Sequence, residues 1–268
     1  MDGRHCSGPG TLGAVTCTVT DEVATLTMTT PSLTEIAKIA LRDAVERVAR
    51  DDAVRAVLLT GTGGVFSAGR DLREHTAAVR AEGRDAFDGA ADHYSPVVTA
   101  LATMPKPVVA AVNGTCAGAG LGLALSCDVR LAAAGARFTA AFTGSGLTPD
   151  SALAASLVKV VGGARASELV LLTEPFTADD ALAWGLVARV LPADELLPAA
   201  AALARRLAAG PPRAYAIAKS AMRQAWAASL EQVLVAEGRD PAALAAIDDH
   251  RAAVEAFPTK QPPRFTGR

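Results

Sequence analysis

Two glycine-rich stretches hold the residues of this chain best suited to chemistry. One runs Gly61-Thr62-Gly63-Gly64-Val65-Phe66-Ser67-Ala68-Gly69-Arg70-Asp71-Leu72. The other runs Thr115-Cys116-Ala117-Gly118-Ala119-Gly120-Leu121-Gly122, after the apolar run 108–112 and the turn at Asn113-Gly114. Side chains in both are too small to cover the backbone, so amide N–H groups at a helix start can touch a ligand. Such donors carry partial positive charge and suit an anion or a developing oxyanion. Two loops of this kind can supply one N–H each to a single oxygen atom. Taken singly, each glycine run suits close packing of helix on sheet equally well.

Other chemistries find less support. A dinucleotide fingerprint needs Gly-x-Gly-x-x-Gly, but after Gly118 and Gly120 the third glycine would fall at Leu123. There is no Gly-x-x-x-x-Gly-Lys-Ser/Thr phosphate loop and no Gly-x-Ser-x-Gly elbow. His5, His75, His93 and His250 lack zinc-ligand spacing, so no metal is expected. A formal net charge of −2 gives no basic footprint for nucleic acid. No apolar run of about eighteen residues appears, so no membrane span is expected. Cys6, Cys17, Cys116 and Cys127 form no Cys-x-x-Cys pair, and no signal peptide is evident. Reduced thiols and a cytoplasmic location are the expectation.

The elements that must position the two loops are legible in part. With half of 268 residues apolar, the chain can bury a substantial core. Residues 1–13 are rich in Gly, Ser and Thr and are expected to be loose. Val15–Val19 and Val23–Met28 alternate around Asp21-Glu22, which predicts a hairpin. Ser32 and Glu35 have capping-box spacing, and a helix to about Arg50 follows with Leu41, Ala44, Val45 and Val48 as its apolar stripe. Ala53–Thr60 reads as a buried strand. The order strand, glycine turn, helix recurs over 53–82 and 107–126, and less clearly over 128–172. After about Pro192 the pattern is helical. Gly210-Pro211-Pro212 separates two helices, Ser229 with Gln232 caps another, and Arg239-Asp240-Pro241 is expected to start the last.

Together the two loops resemble the crotonase, or enoyl-CoA hydratase/isomerase, superfamily. The run 66–72 is similar to its F-x-A-G-x-D-L, and 105–120 is similar to its P-K-P-x-x-A-x-x-N-G-x-x-x-G-x-G. The likeness continues through Cys127-Asp128, Gly146-Leu147-Thr148-Pro149-Asp150, Trp184-Gly185-Leu186-Val187 and Phe257–Phe265, covering roughly 14–268. The resemblance implies an α/β fold. Its core, 14–195, would be a crotonase-like ββα spiral that binds acyl-CoA, and 196–268 a C-terminal helical trimerisation region. It implies a homotrimer or dimer of trimers, and no cofactor beyond the coenzyme A of the substrate.

By motif position, the thioester oxygen would sit between the backbone N–H groups of Arg70 and Ala119, flanked by Gly118 and Gly120. Adenine would be held by backbone near Ala68, Asp71 and Leu72. Phe257 and Lys260 are similar to residues that reach the CoA of a neighbouring subunit. The usual Arg-Pro-x-x-x-Asn-Ala segment is replaced by the shorter Thr30-Pro31-Ser32-Leu33-Thr34. Contacts to the CoA head group from that side are therefore not carried over.

The same resemblance bears on the reaction. The two glutamates with which hydratases of this family activate water fall at Gly122 and Phe142, and neither residue can move a proton. Asp150 resembles the aspartate of a P-D-[ST]-G motif found in ring-epoxide and double-bond isomerases, with Ala152 in place of the glycine. It is the candidate base, with helix capping as its structural alternative. Phe138 and Phe142 would keep its surroundings dry. Asp128 is expected to satisfy backbone donors. Glu74, His75, Asp92, His93 and Tyr94 lie in a segment that walls the acyl pocket in this family, with His93 or Tyr94 a candidate for substrate contact. The expectation is an acyl-CoA isomerase, the alternatives being a hydratase with atypical acid/base residues and a non-catalytic acyl-CoA-binding protein.

Overall fold

A computed structural model describes residues 4–5, 13–82, 93–258 and 260–268. The chain enters through β1 (Arg4–His5), which pairs with Val19 and Thr18 of β2 (Val15–Thr20). β2 and β3 (Val23–Met28) form the expected antiparallel hairpin. Asp21 and Glu22 turn it with φ of 50° and 60°, the left-handed geometry a two-residue hairpin needs.

α1 (Glu35–Arg50) buries Leu41, Ala44, Val45 and Val48 as its spacing predicts. Its cap differs from expectation. Thr34, not Ser32, accepts from the Ala37 amide. The Ser32 hydroxyl donates instead to Asp71 at 2.6 Å, a tertiary contact that no local pattern encodes.

Three ββα turns then follow. The first is β4 (Ala56–Gly61), β5 (Val65–Ser67) and α2 (Leu72–Glu82). After α3 (Ser95–Thr103) the second is β6 (Val108–Val112), β7 (Thr115–Ala117) and α4 (Ala119–Leu125). The third is β8 (Val129–Ala133), β9 (Arg137–Thr139) and α5 (Leu153–Leu172). The first strand of each turn joins one sheet, ordered β1-β2-β3-β4-β6-β8-β11, and is parallel to its predecessor. The second joins another, ordered β10-β9-β7-β5. β10 (Phe176–Thr177), α6 (Ala178–Ala183) and β11 (Arg189–Leu191) close the two sheets. β4 and β6 are buried at every position, as expected of strands covered on both faces.

α7 (Ala193–Ala208) lays Leu196, Ala200, Leu203 and Ala204 on the outer face of the large sheet, against Leu58, Val109 and Leu131. The expected boundary between residues 195 and 196 thus falls inside a helix that packs on the sheet. α8 (Pro212–Gln224) and α9 (Leu230–Ala245) follow, and Ser229 with Gln232 forms the expected capping box. α9 runs through Pro241, and the last helix, α10, starts at Asp248, not at 239–241. No residue of α9 is buried, so the proline breaks only a solvent-side turn.

Cys17 is disulfide-bonded, which departs from the expectation of reduced thiols. Cys116 and Cys127 are free, and burial pushes both thiols up, Cys127 to about 12. Among the described residues no helix is long and apolar enough to cross a membrane, and no cluster of metal-type ligands occurs.

Candidate active site

The two glycine loops lie against each other. A Cβ on Gly69 would stand 2.7 Å from the Ala117 carbonyl oxygen and 3.2 Å from the Ala119 nitrogen. A Cβ on Gly120 would meet Ser67. Backbone approaches this close require glycine at 69 and at 120. Gly118 adopts φ +52° and donates its N–H to Thr139 O, which turns the chain into α4 at Ala119. Phe142 lies over that turn, 3.6 Å from where a Gly118 Cβ would be.

The short segment before α1 holds the first loop from outside. Ala68 N–H donates to Pro31 O and Leu33 N–H to Gly69 O, both at 2.7 Å, and Asp71 N–H donates to Leu33 O. Gly69 N–H donates to the Ser67 hydroxyl. Asp71 caps α2, accepting from the Arg73 and Glu74 amides and the Ser32 hydroxyl. The Ser32 and Glu74 bonds hold its carboxyl below the usual aspartate value of 3.8. The amides on either side of Arg70 are thus occupied. Among the described residues, neither Arg70 N–H nor Ala119 N–H donates to a backbone carbonyl of these loops.

Asp150 closes the site from the third ββα turn. Its carboxylate lies 3.4 Å from Arg70 Nη2 and accepts from the Ser151 hydroxyl at 2.7 Å, with the Asp150 and Arg70 side chains 18% and 16% exposed. It does not cap α5. The N-cap there is Ala152, which makes no side-chain bond, and Asp150 contributes only its carbonyl to Leu153 N–H. Ser151 and Ala152 both adopt φ of +56°. That is why the corresponding motif favours glycine after its serine or threonine.

Gly122 explains this loop's position. A Cβ there would stand 2.6 Å from Ser151 Cβ and 2.8 Å from Ser151 O. The Ser151 backbone therefore fills the space into which a side chain at 122 would grow.

Next to Arg70 lies Tyr94, 2% exposed. The Arg70 guanidinium sits 5.7 Å and the Lys38 ammonium 5.6 Å from its ring centroid. Burial raises the Tyr94 hydroxyl pKa well above its usual 10. Burial, and then Arg70, lowers that of Lys38. Sequence reasoning left Arg70's side chain unassigned and missed Lys38. The partners lie 80 and 56 residues away in the chain, and no local spacing signals them.

The remaining candidates scatter. Ala68 and Leu72 are exposed on the outer lip of the first loop. Phe257 and Lys260 are exposed beyond α10. Asp128 satisfies a backbone donor, Val108 N–H at 2.7 Å, and pairs with buried Lys219 at 2.8 Å. Asp92 falls outside the described residues.

Residues 18–268 match the family model described as enoyl-CoA hydratase/isomerase. The chain belongs to the enoyl-CoA hydratase/isomerase family. Among relatives of this family, 1,2-epoxyphenylacetyl-CoA isomerase of Escherichia coli K12 is 38% identical over 92% of this chain and 95% of its own length. A 4-chlorobenzoyl coenzyme A dehalogenase of an Arthrobacter species is 36% identical over 79% of this chain and 78% of its own. A Mycobacterium abscessus crystal structure bearing the same family name superposes with a TM-score of 0.92 at 42% identity, covering 95% of this chain and 100% of that one. The ββα fold and the crotonase membership expected from the motifs are both found.

Proposed function

We propose that the protein is an acyl-CoA isomerase that moves a double bond, or rearranges a ring-derived acyl group, with Asp150 as its single acid/base residue. The observation that carries this reading is the placement of the Asp150 carboxylate. Arg70 and Ser151 hold it beside the two glycine loops, while the positions of the family's two glutamates hold Gly122 and Phe142, neither of which carries a proton. The thioester oxygen accepts from Arg70 N–H and Ala119 N–H, which stabilise the enolate formed when a proton leaves the acyl chain. Asp150 takes that proton and returns it two carbons away. The name of the E. coli relative, an isomerase of an epoxidised phenylacetyl-CoA, supports this chemistry over hydration.

Adenine rests on the backbone near Ala68, Asp71 and Leu72. Phe257, Lys260 and the exposed apolar side chains Leu230, Leu234 and Val235 suit a homotrimer or dimer of trimers in which the tail meets a neighbour's CoA.

Isotope exchange tests the reaction. In heavy water the acyl chain gains deuterium, and in oxygen-18 water it gains no label. Asp150→Asn lowers kcat on the order of 100- to 10,000-fold. Uptake of oxygen-18, or an Asp150→Asn variant with full activity, refutes the reading.

A further inference from the structure

The proposed oxyanion pair needs two loops held at one spacing, and their own strand pairing is slight. β5 and β7 are three-residue strands whose ladder joins Val65 to Thr115 and Ser67 to Cys116. Phe66 is extra on its side, so the register shifts between the two pairs. A ladder this short, running into glycine-rich loops, specifies register weakly. The glycines at 69 and 120 permit the loops to touch farther on, but a missing Cβ attracts nothing.

The corner where β6 turns into β7 supplies the attraction. Asn113 stands in that corner and reaches both ends of the preceding strand-to-strand turn. Its Oδ1 accepts from Gly61 N–H, at the end of β4, at 3.1 Å, and its Nδ2 donates to Val65 O, at the start of β5, at 3.3 Å. An amide does both because it carries a donor and an acceptor on one carbon. A carboxylate there would offer the acceptor alone and repel Val65 O, and a leucine of similar size would offer neither. Gly114 lets the corner come this close, since a Cβ on it would overlap the Gly64 carbonyl, whose oxygen accepts from Thr115 N–H. Arg70 follows Val65 by five residues, and Ala119 follows Asn113 by six.

One residue of slip moves a strand by about 3.3 Å along its neighbour. An N–H displaced that far loses an oxygen held by the other loop, because N–H···O bonds end at about 3.2 Å between heavy atoms. We propose that Asn113 is a positioning residue for the oxyanion pair: its side-chain amide locks the register of β5 on β7 and so sets the spacing of the Arg70 and Ala119 N–H groups. This rests on the acyl-CoA reading above.

The test reads the thioester carbonyl directly. 4-(Dimethylamino)cinnamoyl-CoA absorbs at longer wavelength as its carbonyl accepts hydrogen bonds, and its acyl chain offers an isomerase no saturated carbon to deprotonate. Bound to the wild type, its band moves to longer wavelength. In Asn113→Asp and in Asn113→Leu most of that shift is lost. Thr60→Val is the control. It removes a buried hydroxyl that donates to Ala111 O and lies 3.4 Å from Asn113 Oδ1, but it leaves both bonds of the Asn113 amide in place. It lowers the thermal midpoint by a few degrees, as the Asn113 variants do, and keeps the full shift. A full shift in the Asn113 variants, or an equal loss in Thr60→Val, overturns the inference and leaves the acyl-CoA reading standing. So does unfolding of both Asn113 variants, which would make the amide a support of the whole fold. A wild type that binds the ester without a shift, or does not bind it, overturns the oxyanion pair itself.

Discussion

Gly122→Ala adds one methyl group and tests how the base is held. The new Cβ would stand 2.6 Å from Ser151 Cβ and 2.8 Å from Ser151 O. Ordinary carbon contacts begin near 3.5 Å, so the loop must retreat by roughly 0.9 Å. α4 cannot yield instead, since all seven of its residues are buried. Inserting a methyl into packing this tight costs about 1–3 kcal/mol, or about 2–10 °C in thermal midpoint for a chain of this size. Ser151 adjoins Asp150 and donates to its carboxylate, so the displacement reaches the proposed base directly. A misplacement near 1 Å costs on the order of 100-fold in rate. Isomerisation of a 3-enoyl-CoA, followed by the ultraviolet absorbance of the conjugated product, reads that loss as kcat. Gly135→Ala is the control, in the open turn between β8 and β9 with nothing within 4 Å of the added methyl, and it leaves kcat unchanged. A Gly122→Ala enzyme within threefold of wild type would show that the base is not placed by this packing, and the argument for Asp150 would lose its geometric footing.

Two further outcomes follow from the same geometry. Asp71→Ala removes the side-chain cap of α2 and the Ser32 bond that anchors the first loop, and chemical denaturation reads a loss of about 1 kcal/mol. Because the folded carboxyl titrates below 3.8, the unfolded chain binds more protons in that window. The stabilisation is complete above 3.8, is lost as pH falls through the folded value, and is missing at every pH in the variant. Leu234→Asp charges an α9 position that is 58% exposed in the single chain. Light scattering shows the wild type as three or six chains and the variant as a smaller species, and a wild type with the mass of one chain would refute the assembly.

The hairpin was legible because strict alternation breaks for two residues at Asp21-Glu22, and α1 because its apolar residues recur at helical spacing. Both signals are local. The glycine loops were legible for a related reason. Gly69 and Gly120 mark places where one backbone touches another, and that demand shows in residue type even when the partner does not. What failed to show was pairing across the chain. Ser32 looked like a cap for α1 but its hydroxyl is 39 residues away in sequence from the Asp71 it meets. Arg70 and Asp150 are separated by 80 residues, and neither carries a neighbour that announces the other. Pro241 reads as a helix start by its ring chemistry, yet an exposed helix tolerates the lost bond.

The same packing that builds the proposed oxyanion pair also restricts what the site can do. Gly120 and Gly122 stand on one short buried helix, α4, the first against Ser67 and the second against Ser151. The contact at 120 brings the Arg70 and Ala119 loops together. The contact at 122 fills the space into which a side chain there would grow and seats Ser151, whose hydroxyl donates to the proposed base Asp150. A hydratase of the two-glutamate kind would need a side chain at 122, where this backbone has no room for one. Converting the site would therefore take more than two substitutions. The loop 150–152, with its two left-handed non-glycine residues, would have to rebuild before a glutamate at 122 could stand. On the proposed reading, reaction type in this chain is set less by which acidic residue is present than by which Cβ the surrounding backbone excludes.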